Sequence, residues 1–168
     1  MPTKATTERA RRDAREGRSP STQAGEFVRE EIHHVREGKH GARSAKQAIA
    51  IGLSEARRAG VKLPPPKKGT VSPRTRRAAK LATKRAAKST RKRPSTTRSR
   101  AITKALKRED SSATTTRSLS RHAKAAASRR TASQRSASAR KAVRTKGPAE
   151  RSAAARKAAR TRARTHAR

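Results

Sequence analysis

The chain has very few residues from which a hydrophobic core could be built. Phe27 is the single aromatic residue among 168, and much of the 30% hydrophobic fraction is alanine. The formal net charge is +37, from 48 Lys and Arg residues against 11 Asp and Glu residues. Low hydrophobicity with high net charge is typical of chains that cannot offset the entropy lost on ordering. We therefore expect one small ordered module and a long segment that is disordered or transiently helical when free.

Charge is distributed very unevenly between the two ends of the chain. Residues 1–19 carry six basic and three acidic residues, and this polar segment can form a short surface helix with Glu8 and Arg12 four positions apart. Residues 20–63 carry eight basic and five acidic residues, which is an ordinary balance for a folded unit. Residues 64–168 carry 34 basic residues and three acids. A compact fold with that imbalance would repel itself without a polyanion.

A proline-rich stretch marks the expected boundary of the module. Residues 64–69 read Pro-Pro-Pro-Lys-Lys-Gly, which cannot lie inside a helix and is typical of a stiff linker. The sequence therefore predicts a folded module at 20–63, a Pro/Lys linker at 64–69 and an Ala/Arg/Lys/Ser/Thr-rich basic tail at 70–168.

The module has the pattern of a helical hairpin, so the predicted fold class is mostly α. A first helix is predicted from about Thr22 to Glu37, where apolar residues share one helical face: Ala24, Phe27, Val28, Ile32 and Val35. A second helix is predicted at 45–59, with Ser44 as its N-cap and Gln47 completing a capping box. Its small residues would let the two helices approach closely. Gly38 and Gly60 are expected to end the helices.

Ile51 points away from the shared face of the second helix, which indicates a further packing surface. The N-terminal helix, the segment of Val61 and Leu63, or a second copy of the chain bound through the 20–63 module could each cover it. The sequence does not choose among these, and a homodimer stays one of the alternatives.

Two local features of the module suggest sites. Arg43, Lys46, Gln47 and Ala50 lie on the outward side of the second helix, where Gln and Ala could contact base edges. The alternative is that Gln47 only caps the helix and Lys46 is solvated. His33 and His34 point about 100° apart on a helix, and the chain has no Cys. We therefore expect these histidines and His40 to be surface residues, with no metal site and no cofactor.

The basic tail is expected to bind nucleic acid. Like charges four residues apart oppose helix formation, so we expect mostly coil in the free protein and short helices against phosphates. Arg and Lys displace condensed counterions from a duplex, and this release drives binding without reading sequence. The candidate nucleic-acid-binding residues are Arg43, Lys46, Lys67, Lys68, Arg74, Arg76, Arg77, Lys80, Lys84, Arg85, Lys88, Arg91, Lys92, Arg93, Arg129, Arg130, Arg140, Lys141, Arg156, Lys157, Arg160, Arg162 and Arg164.

Two resemblances point the same way. The block Ser19–Leu53, SPSTQAGEFVREEIHHVREGKHGARSAKQAIAIGL, resembles a family of small, largely uncharacterised bacterial proteins that carry this block before a basic tail and are described as DNA-binding. The tail from Lys67 onward is similar in composition to the tails of linker histones and bacterial histone-like proteins, although it favours Arg over Lys. Both resemblances imply a DNA-binding protein of the bacterial chromatin type.

The sequence thus favours a nucleoid-associated protein that binds duplex DNA largely without sequence specificity. An RNA-binding or ribosome-associated basic protein is the alternative, although the lack of aromatics argues against single-strand stacking platforms. A membrane partner is not expected, because the chain has no long apolar stretch and no broad apolar helix face. Few acids, no Cys and no Gly-rich phosphate loop argue against an enzyme. No signal-peptide core precedes the module, and we expect a cytoplasmic, nucleoid location.

Overall fold

The computed structural model describes residues 2–87, 95–145 and 147–166. Within these residues the chain is helical and has no β-strand. The helices are α1 (Lys4–Arg15), α2 (Pro20–Arg36), α3 (Ala45–Arg58), α4 (Pro73–Ala87), α5 (Thr96–Lys107), α6 (Thr116–Ser128), α7 (Ala132–Thr145) and α8 (Pro148–His166), with one 3₁₀ turn at Ser112–Thr114. They form two compact units, Met1–His122 and Ala123–Arg168.

Helices α2 and α3 are the two helices that the apolar pattern predicts, and their ends follow from local chemistry. The Ser19 and Ser44 hydroxyls accept hydrogen bonds from the backbone three residues on. Gly38 and Gly60 adopt φ of 72° and 100°, which a side chain would disfavour. After Gly60 the Val61 N–H donates to the Ala56 carbonyl at 3.0 Å, as in a Schellman motif.

The capping box at Ser44 differs in one detail from the expectation. The Gln47 N–H donates to the Ser44 hydroxyl at 3.2 Å, as predicted. The Gln47 side-chain oxygen, however, accepts from the N–H of Arg43 at 3.0 Å and not from that of Ser44. Gln47 is therefore committed to the start of α3, which supports its structural interpretation over a base-reading one.

Small residues allow α2 and α3 to pack closely. Gly52 is buried, and a Cβ there would lie 2.7 Å from the Val28 Cα and 3.0 Å from the Phe27 carbonyl oxygen. The first core cluster surrounds Phe27 and contains Ala10, Ala24, Phe27, Ala56, Val61 and Leu63. The second lies at the other end of the hairpin and contains Val35, Ala42, Ala48 and Ala113.

The N-terminal segment forms α1 and packs against α2. Ala10 contributes to the Phe27 cluster, so both α1 and the segment of Val61 and Leu63 complete the core of the hairpin. Arg9 pairs with Glu26 at 2.6 Å. The Arg12 Nε lies 3.9 Å from the Glu16 Oε1, so the carboxylate paired with Arg12 is Glu16, whereas the sequence suggested Glu8. The side chain of Ile51, for which the sequence indicated a further packing surface, is half-buried.

The first unit extends well beyond the linker at which the sequence analysis placed its boundary. Helix α4 packs against α3, and Ala79 is buried there. The end of α5 and the segment after it dock on the loop between α2 and α3, where the Gly41 N–H donates to the Leu106 carbonyl at 2.9 Å and the Ala42 N–H donates to the Asp110 carbonyl at 3.0 Å. This docking requires glycine at position 41, because a Cβ there would overlap the Glu109 carbonyl. These long-range contacts have no local sequence signature, which is why the linker alone suggested an earlier boundary.

The expectation of a long disordered tail is wrong, since the described tail residues are almost entirely helical. Ala, Arg and Lys favour helix intrinsically, and polar caps start the helices. The Ser72 hydroxyl accepts from the Thr75 N–H at 3.2 Å. Thr131 and Gln134 form a reciprocal capping box at the start of α7, with hydrogen bonds of 3.2 and 3.3 Å. The sequence analysis gave like-charge repulsion too much weight against these local contributions.

Candidate nucleic-acid interface

Helix α4 separates a packed side from a cationic side. Ala79 is buried, and Ala82, Thr83 and Ala86 are partly buried. At about 100° per residue these four positions lie within one arc of the helix. The basic residues occupy the remaining arc and are all exposed: Arg74, Arg76, Arg77, Lys80, Lys84 and Arg85. We call this surface the α4 basic face.

The α4 basic face is held in place by the linker before it. The Thr83 hydroxyl donates to the Leu63 carbonyl at 3.4 Å, and the Arg76 guanidinium donates to the Pro66 carbonyl at 3.1 Å. Arg57, buried in α3, donates to the Pro64 carbonyl at 3.2 Å. Packing and hydrogen bonds therefore fix the spacing of the cations on this helix, which reduces the entropy they lose on binding an anion.

Helix α5 carries a second group of cations. Arg100, Lys104, Lys107 and Arg108 line one side of the helix end, around a shallow cleft of about 440 Å³ shared with Ser99 and Thr103. The apolar side chain of Ile102 is 55% exposed on this helix. An open cleft lined by cations and hydroxyls offers donors to phosphate oxygens and no apolar enclosure for a small organic ligand.

The second unit is almost purely cationic. Residues 123–168 contain 15 Lys and Arg residues and one acid, Glu150, in the first turn of α8. Of the side chains whose burial is described there, all are exposed except the half-buried Ala158. Helix α8 carries basic residues on two opposite sides, because positions 151 and 162 lie on one side and positions 156, 157, 160 and 164 lie on the other.

The structure distributes the residues selected from the sequence over several surfaces. Lys67 and Lys68 are exposed in the linker, and Arg129 and Arg130 are exposed between α6 and α7. Arg140 and Lys141 lie on α7, and the five from Arg156 to Arg164 lie on α8, all exposed. Lys88, Arg91, Lys92 and Arg93 lie outside the described residues.

The surface at the start of α3 is less cationic than the sequence suggests. Arg43 is 80% exposed, but its guanidinium pairs with the Glu109 carboxylate at 3.3 Å. Asp110 is exposed next to Glu109, and Gln47 is engaged in the cap. Lys46 remains exposed. The carboxylates docked here partly cancel the charge that a base-reading helix would present to DNA.

The cations in the described parts of the later helices lack carboxylate partners. In α1, α2 and the loops that follow them, several cations pair with nearby carboxylates, among them Arg12, Arg18, Arg29 and Lys39. Within the described parts of α4–α8, no Lys or Arg forms an ion pair with a carboxylate. Their charge is therefore available to an external anion.

The later helices expose about as many further cations as were selected there from the sequence. The selection followed runs of adjacent basic residues, whereas a helix gathers cations spaced three or four apart. The exposed residues that it passed over are Arg98, Arg100, Lys104, Lys107, Arg108, Arg117, Arg121, Lys124, Arg135, Arg144 and Arg151.

Comparison with known proteins gives one match. Residues 17–68 are similar to a family of unknown function (DUF6496). This segment contains α2, α3 and the linker and leaves α4–α8 outside. No curated protein and no solved structure matches the chain. Among the helices that the structure describes, none is both long and apolar enough to cross a membrane.

Proposed function

We propose that this protein binds duplex DNA through phosphate contacts that are largely independent of base sequence, as a nucleoid-associated protein. The observation that carries this proposal is the large set of exposed cations on α4–α8 that form no ion pair within the described residues. Binding of polyphosphate backbones is the chemistry that such a surface supplies, because each neutralised phosphate releases condensed counterions.

Three features favour a duplex over other polyanions. The described helices carry no aromatic residue outside Phe27, which is fully buried, so no stacking platform for single strands exists among them. The cations lie on rigid helices of about 12 to 19 residues, a length that suits a groove or a backbone of regular geometry. Arg outnumbers Lys in the chain, and guanidinium groups bind phosphate in a forked geometry.

The test compares charge-removing variants of the full chain across a salt series. The variant of the α4 basic face replaces Arg77, Lys80, Lys84 and Arg85 with Gln, which preserves helix propensity. If all four contact phosphates, the slope of log affinity against log salt becomes less steep by about 3.6 on B-DNA. The loss should be the same on unrelated duplex sequences.

The matched control replaces four cations that already have carboxylate partners: Arg12, Arg18, Arg29 and Lys39. Both variants lower the net charge by the same amount, so they separate local contacts from overall charge. The control should leave the slope almost unchanged. An equal effect of both variants would contradict the α4 contact surface, and a loss confined to one DNA sequence would contradict the non-specific mechanism.

A matched duplex RNA in the same series addresses the RNA alternative. The DNA proposal expects DNA to be bound at least as tightly as RNA at each salt concentration. A clear preference for RNA, with the α4 variant losing RNA binding, would instead assign the protein to the RNA-associated class.

A further inference from the structure

Three polar side chains converge at the carboxyl end of α2. Glu31 and His34 lie three residues apart on the same helix face, and His40 follows in the loop after the helix. One ligand atom from each of the three residues lies within 4.8 Å of the other two. The His40 Nε2 lies 3.6 Å from a Glu31 carboxylate oxygen, and the two imidazole rings meet edge to face with centroids 6.3 Å apart.

A helix-ending turn brings His40 to this position. Gly38 has a φ of 72°, and the Lys39 N–H donates to the His34 carbonyl at 3.0 Å. This Schellman turn reverses the chain direction, so His40 returns over the side of α2 that carries Glu31. His33 points elsewhere and is exposed, so the adjacent pair in the sequence is not the pair that meets. The expectation that His34 and His40 are surface residues is not met, since their side chains are 17% and 18% exposed.

The carboxylate at the centre of this cluster is buried and incompletely hydrogen-bonded. Glu31 is 1% exposed, and its Oε1 has no hydrogen-bond partner. A buried polar oxygen in this condition is destabilising unless something positive approaches it. Burial raises the pKa of Glu31; His40 and the charged amino terminus of the chain lower it, and the neighbouring Glu55 and Glu30 carboxylates raise it, with a net upward shift. A group of carboxylates of this kind attracts a cation.

The histidines are arranged as ligands. The His40 Nδ1 lies 3.1 Å from the Gly41 carbonyl, which can only accept, so Nδ1 is the donor of this bond and Nε2, on the Glu31 side, is the atom placed to be a ligand. A backbone carbonyl behind the ring is the usual way in which a ligating histidine is oriented. Coordination uses the neutral imidazole, and burial, followed by the charge of Lys39, lowers the pKa of His34.

The distances fit a metal better than they fit a direct ion pair. Charge-assisted hydrogen bonds are about 2.7–2.9 Å long, whereas His40–Glu31 and His34–Glu30 are separated by 3.6 and 3.7 Å. Two ligands held about 2.1 Å from a tetrahedral ion lie about 3.4 Å apart. The Glu31–His40 separation therefore leaves room for an ion between the two atoms.

We propose that Glu31, His34 and His40 form a site for a divalent transition-metal cation of the zinc type. Two imidazoles and one carboxylate are a donor set that Zn²⁺ takes in proteins, with a fourth position for water. Beside the site, a cleft of about 560 Å³ that His40 helps to line gives a route of entry from solvent.

The cation would act structurally, because it joins α2 to the loop on which the α5 segment docks. Gly41 and Ala42 in that loop donate backbone hydrogen bonds to Leu106 and Asp110 at 2.9 and 3.0 Å. Fixing His40 would therefore fix this docking surface too.

The test uses the full chain, freed of nucleic acid in high salt and of metal by a chelator. Zn²⁺ is titrated by calorimetry, and Co²⁺ is titrated by its visible absorption, whose intensity reports a low-coordinate site. We expect one ion per chain. His40→Gln should weaken binding by at least tenfold, and His33→Gln, the exposed neighbour on the same helix, should leave it unchanged.

His40→Cys supplies a gain of signal that does not depend on loss of folding. The chain has no natural Cys, so a thiolate-to-Co²⁺ charge-transfer band in the near ultraviolet would place the ion at position 40. Absence of one-to-one binding in the wild-type chain would overturn the proposal. So would binding that His40→Gln leaves intact, or a His40→Cys chain that is folded by circular dichroism but lacks the band.

Discussion

Replacing Gly52 by alanine tests whether the close contact of α2 and α3 defines the folded unit. The added Cβ would lie 2.7 Å from the Val28 Cα and 3.0 Å from the Phe27 carbonyl oxygen. Carbon atoms in favourable contact are about 3.5–4.0 Å apart, so the shortfall is close to 1 Å. Both neighbours are backbone atoms of a helix and cannot rotate away. The two helices must separate along their contact.

The expected cost follows from two opposing contributions. Overpacking of a core costs roughly 1–3 kcal/mol, and contact with rigid backbone places this site near the upper value. Alanine gains about 1 kcal/mol of helix propensity over glycine. We therefore expect Gly52→Ala to destabilise the unit by about 2 kcal/mol, which is about a 30-fold change in the opening equilibrium.

Gly25→Ala is the matched control, because Gly25 lies inside α2 and a Cβ there would meet nothing within 4 Å. That variant should stabilise the unit by about 0.5–1 kcal/mol. Native-state hydrogen exchange at the amide of Phe27, in the core, reports both changes without interference from α7 and α8. Opposite signs are expected. If both variants slow exchange, the α2–α3 contact is looser than the structure indicates and the reasoning fails.

Three further predictions concern the other contacts. Gly41→Ala should displace the segment after α5, because the added Cβ would overlap the Glu109 carbonyl. Cleavage at Glu109 by a glutamate-specific protease should become faster, while amide hydrogen exchange in the α2–α3 core stays slow. Thr131→Ala should remove the capping box with Gln134 and cost α7 about 1 kcal/mol, visible as lost helical chemical shifts in its first turn; unchanged shifts would contradict the cap. Hydrogen bonds from the Ser112 hydroxyl and the backbone hold the pKa of Asp110 below its ordinary value. The stability that these bonds contribute should be complete above the ordinary pKa of an aspartate and should be lost as the pH falls through the lowered pKa. If the Asp110 carboxyl titrates by NMR at or above the ordinary pKa, these hydrogen bonds are contradicted.

Local sequence signals predicted the hairpin well because each acts within a few residues. A hydroxyl three positions before a backbone N–H, such as Ser44, caps a helix whatever surrounds it. Gly60 ends α3 through its own φ of 100°. Gly52 was expected to permit close packing simply because it lacks a side chain. These effects need no knowledge of distant parts of the chain.

The features that the sequence did not reveal depend on distant residues or on a balance of small energies. The contact of Gly41 with Glu109 joins positions 68 residues apart, and no periodic pattern in the sequence predicts it. The approach of His40 to Glu31 depends on the turn at Gly38, whereas the sequence shows only that His33 and His34 are adjacent. The tail helices depend on propensity and caps outweighing repulsion, each contributing less than about 1 kcal/mol per residue.

The two units place different limits on specificity. Helix α4 presents cations on one arc only, since its other arc is packed against α3, and α4 can therefore meet a duplex in few orientations. Helix α8 presents cations on two opposite sides, and none of its described side chains is buried to fix its rotation. A helix that can turn either side toward phosphates gains affinity without selecting one orientation, and without a fixed orientation no side chain can read a base. Under the proposed DNA binding, any preference for a DNA shape or sequence is expected to come from the first unit, and the α4 variant is the one that should change it.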